Sequence, residues 1–108
     1  MIVYISLPIS GHDEAIQRQK AYNMELKLKE KGHIVINPFT LGDEARRIEG
    51  RDLSWGEYMV IDLFHLKNFA DAIVFMKGWP NSRGCMDECD CAIKHEKILL
   101  LEEMIWTK

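Results

Sequence analysis

Four short apolar runs, separated by stretches of a different rhythm, constrain the fold of this 108-residue sequence more than any other feature. IVYISL (2–7) is rich in β-branched and aromatic residues and stops at Pro8 and the Ser10-Gly11 pair. HIVIN (33–37) is closed by Pro38, DAIVFM (71–76) runs into Gly78-Trp79-Pro80-Asn81, and KILLLEE (97–103) lies beyond His95. Short apolar runs bounded by turn residues read as buried strands. Strands that are apolar on both faces belong to parallel sheets covered by helices.

The segments between them supply those helices. From Asp13 to Lys31 there is no Gly or Pro; Ile16, Met24 and Leu28 recur at roughly helical spacing, and Gly32 provides the stop. Ser54, with Glu57 three residues on, forms a capping box for a second helix from Trp55 to about Phe69, and Ser82 caps a third that runs to about His95. Residues 38–53 carry Gly42, Gly50 and charges without a clear period, so they read as a long loop with at most a helical turn from Asp43 to Ile48. The order β-α-β-loop-α-β-α-β predicts a small doubly wound α/β domain. Its flavodoxin-like or Rossmann-like parallel sheet has four or five strands, with helices on both faces, and residues 1–108 form one domain.

Composition removes several function classes. Hydrophobic residues make up 47% and charged residues 29%, enough to build a core. No apolar run approaches the ~20 residues that cross a bilayer, so no membrane role is expected. The sequence opens directly in an apolar strand with no basic stretch before it, which predicts a cytoplasmic location. A net charge of −3 with scattered basic residues argues against nucleic acid as a partner. The three cysteines, crowded between Cys85 and Cys91, suit free thiols rather than a disulfide framework.

In such sheets ligands bind beyond the carboxyl ends of the strands, where strand order reverses. That directs attention to SLPISGH (6–12) and KGWPNSRG (77–84). Neither the dinucleotide fingerprint nor the P-loop is present, and no cofactor is expected. Ser6, Ser10 and Gly11 precede one helix, and Ser82 and Gly84 stand at the start of another; helix N-termini attract anions, although serines there also serve as ordinary caps. Glu88 shares its helical face with Cys85, Cys89 and Ala92, while Asp87, Asp90 and Lys94 cluster elsewhere. A carboxylate among small and apolar neighbours is either a solvated edge residue or a placed catalytic group. Asp62 likewise interrupts the stripe of Trp55, Met59 and Leu66. Tyr4, within the first strand, is either a core tyrosine or a donor to a carboxylate. Cys85, Cys89, Cys91 and His95 share a helix, but the two one-turn pairs face about 90 to 120° apart, so they do not close a tetrahedral metal site. His12 borders the first loop, His33 opens a strand, and His65 faces solvent or a partner.

The YISLPISGH start, the WGEYMVIDL run (55–63) and the GWPNSRGCMDE run (78–88) together resemble a small, uncharacterised bacterial and phage domain family within the nucleoside 2-deoxyribosyltransferase-like superfamily. The resemblance spans nearly the whole chain. It implies an enzyme that cleaves the N-glycosidic bond of a nucleoside or deoxynucleotide, as transferase or hydrolase, or a nucleotide-binding module that keeps only the scaffold. It further implies Glu88 as nucleophile at the anomeric carbon, Asp62 as the group that handles the base, and Tyr4 beside the nucleophile. Ser10, Gly11, Ser82 and Gly84 would hold the sugar or its 5′ phosphate, and Ser6, His12 and Trp79 complete the expected substrate contacts. Two positions depart from the superfamily pattern: Leu7 stands where a glycine is usual, and Ser10 where the monophosphate hydrolases place an arginine.

The second predicted helix carries two apolar sides, since Val60 and Phe64 lie one turn apart away from the stripe of Trp55, Met59 and Leu66. One sheet covers only one of them. A homodimer or larger homo-oligomer is therefore expected, with Val60 and Phe64 in the interface and the 38–53 segment or the tail around Trp106 reaching the neighbouring site.

Overall fold

A computed structural model describes residues 1–107. Strand β1 (Ile2–Ser6) lies between β2 (Ile34–Ile36) and β3 (Ala72–Phe75), and β4 (Ile98–Leu101) flanks β3, giving the order β2-β1-β3-β4. All three pairings are parallel, with Tyr4 opposite Ile36 on one side and Ile73 on the other. The sheet is thus the doubly wound one anticipated, with four strands. The chain leaves β1 toward β2 and leaves β3 toward β4, in opposite directions along the sheet, so a crevice opens at the carboxyl ends of β1 and β3.

Alternation along the strands sorts side chains onto two faces. Val3, Ile5, Ala72 and Val74 pack with Ala21, Met24 and Leu28 of α1 (Glu14–Glu30). Tyr4, Ile73 and Phe75 pack on the other face with Leu66 of α3 (Trp55–Phe69) and with Cys89 and Ala92 of α4 (Arg83–Lys94). Asp13 caps α1 by accepting from the Ile16 N–H at 3.0 Å, and the Ser54–Glu57 capping box on α3 forms as expected. Ile16 itself is exposed: the inward face of α1 starts at Gln17, whose amide donates to the Pro8 carbonyl at 2.5 Å.

Two segments differ from the sequence expectation. Residues 38–49 form a helix, α2 (Pro38–Glu49), where a loop was expected. Asn37 caps it, Pro38 occupies its first turn with a pre-set φ, and Gly50 closes it in the left-handed conformation. Phe39 is buried in the core, whereas Ile48 is exposed. Gly42 lies within the helix, with the Tyr58 ring in ordinary contact distance, 3.4 Å, of the position a Cβ would take. The last strand ends at Leu101, and Glu102 and Glu103 begin α5 (Glu102–Trp106) instead of prolonging it. The Glu102 carboxylate is used locally, accepting from the Lys77 N–H at 2.7 Å and the Trp106 indole at 3.0 Å. Among the described residues no helix is long and apolar enough to cross a membrane.

Candidate active site

The two-residue period of β1 puts Tyr4 and Ser6 on the face that α4 covers, and both side chains are fully buried there. On α4, helical spacing turns Cys85, Glu88, Cys89 and Ala92 to the sheet. Glu88 is 5% exposed, and each of its oxygens meets a donor: the Ser6 hydroxyl reaches Oε1 at 2.7 Å and the Tyr4 phenol reaches Oε2. Asp62, on the buried stripe of α3 with Met59 and Leu66, lies close to the same phenol. Carboxyl groups from two different helices therefore meet around Tyr4, which bonds Glu88.

Burial dominates the electrostatics of this cluster. Removal from water pushes the Glu88 carboxyl up to about 8, with the nearby charge of Asp62 adding to the rise and the Tyr4 and Ser6 hydrogen bonds opposing it. Asp62 is pushed up to about 7, again by burial. Tyr4 is raised well above the usual phenol range by burial and by the negative charge of Glu88, so it stays a donor. Near neutral pH the two carboxyls thus share a proton as a coupled unit. The Cys85 thiol, raised by burial, is a neutral neighbour beside the Ser6 and Ser82 hydroxyls.

Above Glu88 and Asp62 lies a cleft of about 480 Å³. Its walls are the segment after β1, the inner side of α2, the start of α3 and the start of α4, so the crevice of the sheet is the site. Ser10, His12, Ser82 and Gly84 line it. Ser82 also caps α4, its Oγ accepting from the Cys85 N–H at 3.3 Å, so capping and a place in the cleft wall coincide in one residue. Ser6 lies beneath the cleft, bonded to Glu88, a place that fits a positioning role better than contact with substrate. Gly11 makes an exposed turn at φ 78° outside the lining, and Trp79 packs on Phe75 with ring centroids 4.5 Å apart, also outside it. Among the described residues no three His, Cys, Asp or Glu side chains converge as metal ligands.

The rim of the cleft holds residues that sequence reasoning missed. Arg18 of α1 binds Asp43 of α2 through both terminal nitrogens, at 2.8 and 2.6 Å. Asp43 also pairs with Arg46, whose Nη1 donates to the Tyr58 hydroxyl at 2.8 Å; that hydroxyl in turn donates to Asp52 at 2.5 Å. Arg18 lies over the Phe39 ring at 4.7 Å and Arg83 over the Trp55 ring at 4.6 Å. Local signals for this network are the one-turn spacings of Asp43 and Arg46 and of Glu14 and Arg18; the links from Arg18 to Asp43 and from Arg46 to Tyr58 join separate elements.

The fold and site define a small doubly wound α/β protein whose sheet crevice holds two buried carboxyls beside a buried tyrosine. The chain belongs to the family described as Domain of unknown function (DUF4406), whose model matches residues 1–101. A search of curated proteins found no match.

Proposed function

We propose that the chain cleaves the N-glycosidic bond of a nucleoside or deoxynucleotide, as a member of the nucleoside 2-deoxyribosyltransferase-like superfamily, through a covalent ester on Glu88. The observation that carries this reading is the pair Glu88 and Asp62, buried at the floor of a cleft large enough for a nucleoside, with Tyr4 bonded to Glu88 and close to Asp62. Glycosidic cleavage needs one carboxylate to attack and one acid to give a proton, and a shared proton on two carboxyls supplies that combination near neutral pH.

The shared proton rests on Glu88 in the free site, so the first step requires it to pass to Asp62 when substrate binds; the ionised Glu88 oxygen then bonds to the anomeric carbon while the bond from that carbon to the base nitrogen breaks. The electron pair goes to the nitrogen, and Asp62 delivers its proton to the departing base. The Tyr4 and Ser6 donors stabilise charge on Glu88 and hold its carboxylate in one orientation. In the second step water, or the nitrogen of another base, attacks the anomeric carbon and expels Glu88, and Asp62 takes the proton of the attacking group. Two displacements retain configuration.

As to assembly, we propose a two-fold homodimer through α3. Val60 is 70% and Phe64 55% exposed, and Phe64 stacks edge-on with Phe69 to widen the apolar face. Incubation with 2′-deoxynucleosides and their 5′-monophosphates, followed by chromatography for free base, tests the activity. Base release supports the reading; ligand binding without base release would assign the chain to the binding-module alternative.

A further inference from the structure

A second cavity, of about 210 Å³, lies at the carboxyl end of the sheet on the side that α1 covers, with walls from α1 and α5. Leu7 lines both this cavity and the cleft, so the two share a wall in the segment after β1. The polar group built into it is Gln17, 5% exposed. Its Nε2 is spent on the Pro8 carbonyl at 2.5 Å, and among the described residues Oε1 receives no donor. No fully enclosed side-chain oxygen among those residues lacks a partner, so Oε1 opens onto the cavity that Gln17 lines. An amide oxygen in that position calls for a donor from whatever fills the space.

The rest of the wall states what else the occupant carries. Lys20 and Lys77 line the cavity, and among the described residues neither ammonium pairs with a carboxylate. Glu102, also in the lining, is already used: it accepts from the Lys77 N–H at 2.7 Å and from the Trp106 indole at 3.0 Å. Two ammoniums against one carboxylate leave the wall net positive, which favours an anion. The bond to Glu102 anchors the Trp106 ring, which with Leu7 supplies the apolar surface. The volume falls below the ~300 Å³ at which pockets for drug-sized ligands begin, so the occupant is small, of the order of one ring.

We propose that this cavity is a second binding site, for a small flat organic carboxylate that also carries a hydroxyl or N–H. The carboxylate meets the Lys20 and Lys77 ammoniums, the ring lies against Trp106 and Leu7, and the hydroxyl or N–H donates to Gln17 Oε1. The site is independent of the chemistry proposed for the cleft.

The test is NMR titration of the isotopically labelled chain with 4-hydroxybenzoate, followed at the Gln17 side-chain amide and the Trp106 indole N–H, with the Trp55 indole N–H reporting on the cleft. Saturable shifts at Gln17 and Trp106, with Trp55 unmoved, are expected. Benzoate, which lacks the hydroxyl, and 4-hydroxybenzamide, which lacks the charge, should each bind about tenfold more weakly. Lys20 and Lys77 are exposed, so Lys20→Met and Lys77→Met leave the core intact. Each should weaken 4-hydroxybenzoate by about threefold or more and leave 4-hydroxybenzamide unchanged. Shifts confined to Trp55, an affinity indifferent to the hydroxyl or to the charge, or no saturation by about 10 mM overturns the proposal, the last leaving a cavity that holds water only. Base release from the cleft, or its absence, has no bearing on these shifts, so the two conclusions fail separately.

Discussion

The floor and the rim of the cleft are built from the same chemistry, carboxyls with donors around them, yet they behave in opposite ways. On the floor, Glu88 and Asp62 lie buried with only neutral donors for company, and both are held above the usual carboxylate range by burial. On the rim, Asp43 and Asp52 stand in partial contact with water and are held below that range, Asp43 by Arg18 first and Asp52 by the Tyr58 hydroxyl first. Hydrogen bonds and ion pairs lower a carboxyl in both places, so how much water it keeps decides whether it stores a proton or stays ionised. The floor holds protons and the rim holds ion pairs.

The sharpest way to break this contrast is at Glu88. Glu88→Gln keeps the volume and removes the nucleophile, and it should lower base release by about a thousandfold or more. Unchanged turnover would move the chemistry elsewhere. Next in size is Asp62→Asn, which should slow substrates with poor leaving bases by about 10² or more and spare activated ones, because only the former need the proton. Equal slowing of both would leave Asp62 a structural role.

The floor also predicts how stability depends on pH. Glu88 holds its proton up to about 8 when folded, against an ordinary 4.5. Between those values the folded state binds more protons than the unfolded chain, so stability is full below about 4.5 and falls as pH rises toward about 8. Melting temperature followed across that window should decline for the wild type and decline less for Glu88→Gln. A flat wild-type profile would mean that the carboxyl is not held protonated. The smallest effect belongs to the rim: Arg46→Gln should cost about 1 kcal/mol or less by denaturant titration, since Arg46 and Asp43 are both exposed enough for water to weaken their pairing. A larger loss would show that the rim holds the fold together as well as shaping the cleft.

Much of this was legible from single residues. Four apolar runs with turn residues at their ends define the parallel sheet, and the Ser54 and Glu57 spacing marks the start of α3. The i, i+2 relation of Tyr4 to Ser6 and the helical neighbours of Glu88 place all three on one buried face. What the sequence hid has a physical cause. In α2, Gly42 looks like a breaker but sits inside the helix, and only Gly50, in the left-handed conformation, ends it. Ser6 precedes the first loop in sequence, but strand alternation turns it beneath the cleft and onto Glu88. The rim network joins Arg18 to Asp43 and Arg46 to Tyr58, and such links across elements leave no local period to read.

The central claim is that Glu88 forms a covalent bond to the sugar. Mass spectrometry of the protein quenched during reaction with a 2′-deoxynucleoside, followed by digestion, tests it most directly. The account predicts a mass increase of one deoxyribosyl group on the peptide that contains Glu88, absent from Glu88→Gln. Base release with no adduct on that peptide, and with the same rate in Glu88→Gln, would contradict it.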